Sequence, residues 1–277
     1  MAGKAAEFPE VLEASAPPEI RAIYGEIRWF SGVPMVVLIF RHLATYPGVL
    51  EEAWGALRPL FLAGAMQEAA WAAAMKHTRT DLVPPIVAAL RPALGLDADR
   101  LVAVRDVLEA YNRANPVNLA ACAALLARLR APGTKPVPLP AGEWSPPAPI
   151  PRPLSPMIAP ADIAPDLRRL IGELGFGEPG KADAVVPSLF RHVADLPAFL
   201  VVLHDCLKPK IDDGSFHAAV EAVRAALAAA GEALSVHLPP LPRLAETPAA
   251  RDALERFAGG VIPQMVVIGY GLRRALA

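Results

Sequence analysis

Residues 40–50 read Phe40-Arg41-His42-Leu43-Ala44-Thr45-Tyr46-Pro47-Gly48-Val49-Leu50, and residues 190–200 read Phe190-Arg191-His192-Val193-Ala194-Asp195-Leu196-Pro197-Ala198-Phe199-Leu200. Phe, Arg-His, Ala, Pro and the final Leu recur 150 positions apart, and Leu57-Arg58-Pro59 is answered at the same distance by Leu207-Lys208-Pro209. Upstream, Pro18-Glu19-Ile20-Arg21 matches Pro165-Asp166-Leu167-Arg168, 147 positions on. Downstream, Arg105-Asp106 with Leu108-Glu109 matches Arg251-Asp252 with Leu254-Glu255, 146 positions on, and Pro116 matches Pro263. Three blocks in the same order at nearly constant spacing point to one duplicated unit, far longer than a solenoid repeat.

Between the two copies, residues 132–156 contain ten prolines, a density that no packed helix or sheet tolerates. The division expected is therefore a first repeat over residues 1–131, a proline-rich linker over 132–158 and a second repeat over 159–277. Within the repeats apolar residues recur at helical spacing, as at Ile20, Ile23, Tyr24 and Ile27, and strand-like alternation of any length is missing. The fold class expected is all-α, with two similar helical repeats related by a pseudo-twofold axis.

Along the chain, the pattern predicts helices over 17–30, 36–44 and 49–75, the last bent at Pro59, and a shorter helix over 82–94. A further helix capped by Asp97 ends at Asn115-Pro116, because the residue before a proline is pushed out of the helical region, and another resumes over 118–130.

At 277 residues and 54% hydrophobic the chain has ample core material without metal or disulfide staples. A net charge of −1 with mixed signs argues against nucleic acid, and the apolar runs are too short to span a membrane. No export signal is read in the first residues, so a cytoplasmic protein is expected. Cys122 and Cys206 sit in separate apolar helical runs and read as buried free thiols.

The segments Val33-Pro34-Met35-Val36, Leu43-Ala44-Thr45-Tyr46-Pro47-Gly48 and Tyr111-Asn112-Arg113-Ala114-Asn115-Pro116, with the long linker between helical halves, resemble the group I 2-haloacid dehalogenases. The resemblance implies a pseudo-dimer with its pocket between the halves. The implied reaction is halide release from 2-halocarboxylic acids by direct attack of a water, which an aspartate activates and an asparagine orients. The asparagine falls on Asn115 and a serine on Ser188. The aspartate falls on Leu189, the pocket's tryptophan and phenylalanine on Met35 and Leu38, and two tyrosines on Asn118 and Phe257. The substrate-binding set expected is therefore Met35, Leu38, Asn118, Ser188, Leu189 and Phe257.

Leucine cannot accept a proton, so another base is required for catalysis. His192 follows Ser188 by four positions, on the same helical face, and an imidazole has a suitable pKa. His192 and Asn115 are the catalytic candidates, with Arg41, His42 and Arg191 beside them. The plainer reading of Arg-His in both copies is packing. Asp183, in the segment before Ser188, is a further carboxylate, while His204-Asp205-Cys206 diverge around a helix and cannot converge on one substrate.

Two other functions stand beside the hydrolase: a protein that binds a small hydrophobic ligand without chemistry, and haem or metal ligation by His42 and His192 from facing repeats. Nothing else in the chain suggests a metal or cofactor, so none is expected. The expected partners are a small-molecule carboxylic acid or apolar ligand and, as an open alternative, a second copy in a homodimer.

Overall fold

The computed structural model describes residues 9–78, 81–140, 143–176 and 186–277, and among these every regular element is a helix. The first half contributes α1 (Pro18–Ser31), α2 (Leu38–Leu43), α3 (Val49–Leu62), α4 (Ala65–His77) and α5 (Ala98–Arg130). The second contributes α6 (Pro165–Glu173), α7 (Ser188–His192), α8 (Pro197–Asp212), α9 (Ser215–Leu234), α10 (Pro242–Ala245), α11 (Pro248–Gly259) and α12 (Ile262–Ala275). Five of the twelve begin on proline, whose missing N–H costs nothing in a first turn. In α1 the residues Ile20, Tyr24, Ile27 and Phe30 form the inward stripe, and Gly32, at φ 62°, ends the helix in the left-handed conformation.

The architecture is a bundle around α5. Helices α4, α9, α11 and α12 pack along it and α7 touches it. Because α4 and α9 also pack on each other, the halves interlock, and one continuous core runs from Ile20 to Leu276 through residues of both. Fully buried side chains such as Tyr24, Phe61, Phe199 and Phe216 each contribute about 2–3 kcal/mol on removal from water.

The structure corrects three helix boundaries. The predicted helix over 49–75 divides at Ala63 and Gly64, not at Pro59. Gly64 has φ 71°, and the Trp144 indole lies so close over its backbone that a Cβ there would overlap the ring. Residues 82–94 form only two short 3₁₀ turns, Ala88–Leu90 and Pro92–Leu94, between prolines. The predicted break at Asn115-Pro116 is absent, and α5 runs 33 residues straight through it. Pro116 has no N–H for the carbonyl of Asn112, four residues back. The Tyr270 hydroxyl of α12 donates to that carbonyl instead at 3.3 Å, and Trp71 Nε1 donates to the next one, Arg113 O, at 3.0 Å.

Over its described residues the linker is extended along the surface. It is tied down by Val137 N to Val236 O (2.9 Å), Arg113 to Ala148 O (2.8 Å) and Ile150 N to Gly32 O (3.3 Å).

Candidate functional site

The two Arg-His pairs stand at the ends of α2 and α7, and each holds an extended segment by a histidine Nδ1–carbonyl bond and a backbone bond to the arginine carbonyl, with the arginine side chain differently engaged. His42 Nδ1 meets Pro9 O at 2.7 Å, Val11 N donates to Arg41 O at 3.0 Å, and Arg41 pairs with Glu10 at 2.8 Å. His192 Nδ1 meets Ser155 O at 2.5 Å, Ile158 N donates to Arg191 O at 3.0 Å, and Arg191 Nε donates to Ile158 O at 3.0 Å. Since a carbonyl can only accept, Nδ1 carries the proton in both rings, leaving Nε2 as the acceptor in the neutral form.

Each Nε2 faces a tyrosine hydroxyl, Tyr46 at 3.4 Å from His42 and Tyr111 at 3.3 Å from His192. Tyr46 lies four residues beyond its histidine, whereas Tyr111 arrives from α5 in the other half. At the matched positions, Leu196 stands where Tyr46 would be and Phe257 where Tyr111 would be. A tyrosine hydroxyl thus stands at each Nε2, from a different source. His192 is therefore not the open base that its spacing from Ser188 suggests: both ring nitrogens are engaged, in an arrangement that His42 shares.

The His192 pKa is lowered, first by burial and also by the Arg191 charge, against an opposing pull from the Ser155 carbonyl. The Tyr111 pKa is raised by burial, opposed by a hydrogen bond from Ser188 and by the charges of Arg191 and Arg41. In the neutral forms Tyr111 donates to His192 Nε2, and His192 Nδ1 donates to the Ser155 carbonyl.

One turn further along α5 from Tyr111 stands Asn115, 3% exposed, whose side-chain amide makes no hydrogen bond to another described residue. Asn118, on the same face, spends its Nδ2 on Ala114 O at 2.6 Å. Met35 packs beside Ala110 and Ala114 on that side of α5. Phe257, nearly buried, lies on α11, which packs against both α5 and α2, where half-buried Leu38 sits. Leu189 is buried in the main core at 3% exposure.

About one stretch of α5 the structure thus brings Tyr111 to His192 and Met35 to Ala110 and Ala114, with Asn115 and Asn118 following on the same helix. Asp183 lies outside the described residues. Tyr111 entered the sequence reading only as part of the segment that carries the resemblance, with no role of its own; its i, i+4 spacing to Asn115 was the available signal. His204 bonds Glu173 at 2.9 Å and Asp205 at 3.1 Å, a surface contact apart from this group. Two concavities of about 520 and 340 Å³ lie elsewhere, the first lined by Asp252, Glu255 and Arg256, the second by Arg105, Glu109 and Arg273. Among the described residues no group of three His, Cys, Asp or Glu side chains is placed to hold a metal, and no helix is long and apolar enough to cross a membrane.

No family model and no curated protein matches the sequence. Solved structures do match. A D-2-haloacid dehalogenase mutant in complex with D-2-CPA superposes with a TM-score of 0.71 at 20% identity, over 99% of this chain and 96% of that one. A D-2-haloacid dehalogenase with L-LA gives 0.69 at 21% identity, over 99% and 95%. The chain has the fold of the D-2-haloacid dehalogenases. A third structure, another mutant described as a D-2-halacid dehalogenase, gives 0.68 at 20% identity over the same shares. At this identity the likeness establishes the fold, and the chemistry has to be argued from the side chains.

Proposed function

We propose that the chain is a 2-haloacid dehalogenase-like hydrolase of small carboxylic acids, built from two repeats about a pseudo-twofold axis. Its substrate would seat between the repeats against Asn115, with Met35, Leu38, Asn118, Phe257, Ser188 and Leu189 around it. The observation that supports this reading is Asn115, a polar side chain 3% exposed on the helix both halves pack against, with no hydrogen bond to another described residue.

In the reaction the water oxygen bonds to C2 as the carbon–halogen bond breaks. The bonding electron pair leaves with the halide, and a base takes the proton. Asn115 orients the water, the apolar wall excludes competing solvent, and the proton passes to His192. No cofactor is needed for these steps.

A second reading, a binding protein that performs no hydrolysis at the same site, is favoured by Leu189, an apolar core residue where the resemblance places the aspartate. Halide release from racemic 2-chloropropionate separates the two. The hydrolase reading expects release that Asn115→Ala and His192→Ala each lower by about 100-fold or more. No release at high protein concentration, with lactate binding that Asn115→Ala abolishes, would establish the binder.

A further inference from the structure

Asn115 is 3% exposed and Asn118 4%, so an acid reaches their amides only when part of the covering shell moves aside. Most of that shell is built into the main core, where α2, α7 and α11 each bury residues and through which α5 runs. On the Met35 side the covering is different. Val33, Ala110 and Ala114 form a satellite cluster of their own, and over it pack Met35 and Val37 from the connection between α1 and α2 with Ile150 and Leu154 from the linker. Of the two clusters, Met35 and Ile150 pack against the satellite alone, while Leu154 reaches both.

The linker crosses this cluster as a span held at its ends. At one end Ile150 N donates to Gly32 O at 3.3 Å and the Arg113 guanidinium donates to Ala148 O at 2.8 Å. At the other, His192 Nδ1 donates to Ser155 O at 2.5 Å and Ile158 exchanges bonds with Arg191. In between, Pro151 and Pro153 have no N–H, and the N–H groups of Arg152 and Leu154 donate to no described residue. Among the described residues, what fastens the span is the Leu154 side chain and a pair between Arg152 and Asp106 of α5, 3.0 Å long with the arginine well exposed. An exposed ion pair contributes little, which leaves Leu154 as the main fastening. Local opening is least costly where buried contacts and backbone bonds are fewest.

We propose that the span from Pro151 to Leu154 is the gate of the site, a short flap that lifts from the Ala110 and Ala114 face of α5 to admit the acid and falls back to shut out solvent, with Leu154 as its seal. The inference rests on the site proposed above at Asn115. The prolines keep the flap extended, so it swings on its two tethered ends without coiling.

A thiol placed under the flap reports its opening without any turnover. In a Cys206→Ser background, which leaves only buried Cys122, Ala114→Cys should react slowly with a thiol reagent. Adding Leu154→Ala should speed that reaction about tenfold or more, and lactate should slow it. Leu139→Ala trims another half-buried leucine of the linker, outside the satellite cluster, and should leave the rate within about twofold. Equal acceleration by the two alanines would mean general loosening, and no acceleration by Leu154→Ala would mean a fixed wall; either overturns the gate.

A second measurement needs no introduced thiol. In stopped-flow binding of lactate, Leu154→Ala should raise the association and dissociation rates by the same factor and leave Kd within about threefold, because a gate alters the barrier and not the bound state. A change in dissociation alone makes Leu154 an ordinary contact and overturns the gate. A thiol that responds to Leu154→Ala, in a protein that neither releases halide nor binds lactate, supports the flap and refutes both readings of the site behind it.

Discussion

Helix α5 and the α11–α12 pair occupy matched stretches of the sequence and carry a proline at the matched place, yet one is continuous and the other broken. In α11–α12 the interruption is at Gly260 and Val261, and Pro263 lies harmlessly in the first turn of α12. In α5 the proline stands mid-helix, where it ordinarily costs about 3 kcal/mol. Two supports hold that helix straight. The Tyr270 hydroxyl takes the carbonyl that Pro116 strands, and α9 packs along α5 more extensively than any other pair of helices does. The difference teaches that a proline decides a helix end only when nothing distant repairs its lost bond; here the broken pair mends the unbroken one.

The contrast can be broken most severely at Gly231. A Cβ on this α9 residue would lie 2.2 Å from Ala120 O and 2.8 Å from Ala123 Cβ on α5. Because two helix backbones would have to separate, Gly231→Ala should cost about 3 kcal/mol in a denaturant titration, whereas alanine elsewhere in an open helix stabilises. A smaller effect belongs to Tyr270→Phe, which leaves the Asn112 carbonyl without its donor. A loss of about 1–2 kcal/mol is expected, with faster amide exchange confined to the middle of α5. No loss would mean that water replaces the phenol and that α9 alone keeps α5 straight.

The mildest perturbation is pH, which tests how firmly α5 holds its partner α7 through Tyr111. The His192 pKa lies below the ordinary 6.5, so the folded protein resists a proton that the unfolded chain accepts. Its contribution to stability is therefore complete above about pH 6.5 and is lost progressively as the pH falls below it. His192→Gln should flatten the profile in that window. An unchanged profile would mean that His192 titrates as freely in the fold as in the unfolded chain.

Much of this fold can be read from local pattern. The inward stripe of α1, the proline-led helix starts and the absence of strand alternation depend on neighbours a turn or two away. What escaped the sequence depends on distant partners. Nothing near Pro116 announces Tyr270, and nothing near Gly64 announces that the Trp144 indole will settle over its backbone.

The candidate site divides in the same way. Asn115 and Ser188 were legible through the family resemblance. Tyr111 was only one letter of the resembling segment, because its hydroxyl acquires meaning only when α7, some 80 residues later, brings His192 against it. The Arg-His repeat was legible as a repeat, but its use in gripping an extended segment was not, since the segments gripped share no obvious letters.

The shared core also bears on what happens if the proline-rich connection is cut. Helix α5 presents much of its apolar surface to α9, α11 and α12, so neither piece would have a dry exterior of its own. Nicking the chain near Gly133 should therefore leave a non-covalent heterodimer. Fragments made separately would be sticky and poorly ordered alone, and would regain helicity on mixing, like a ring and key cut from one casting.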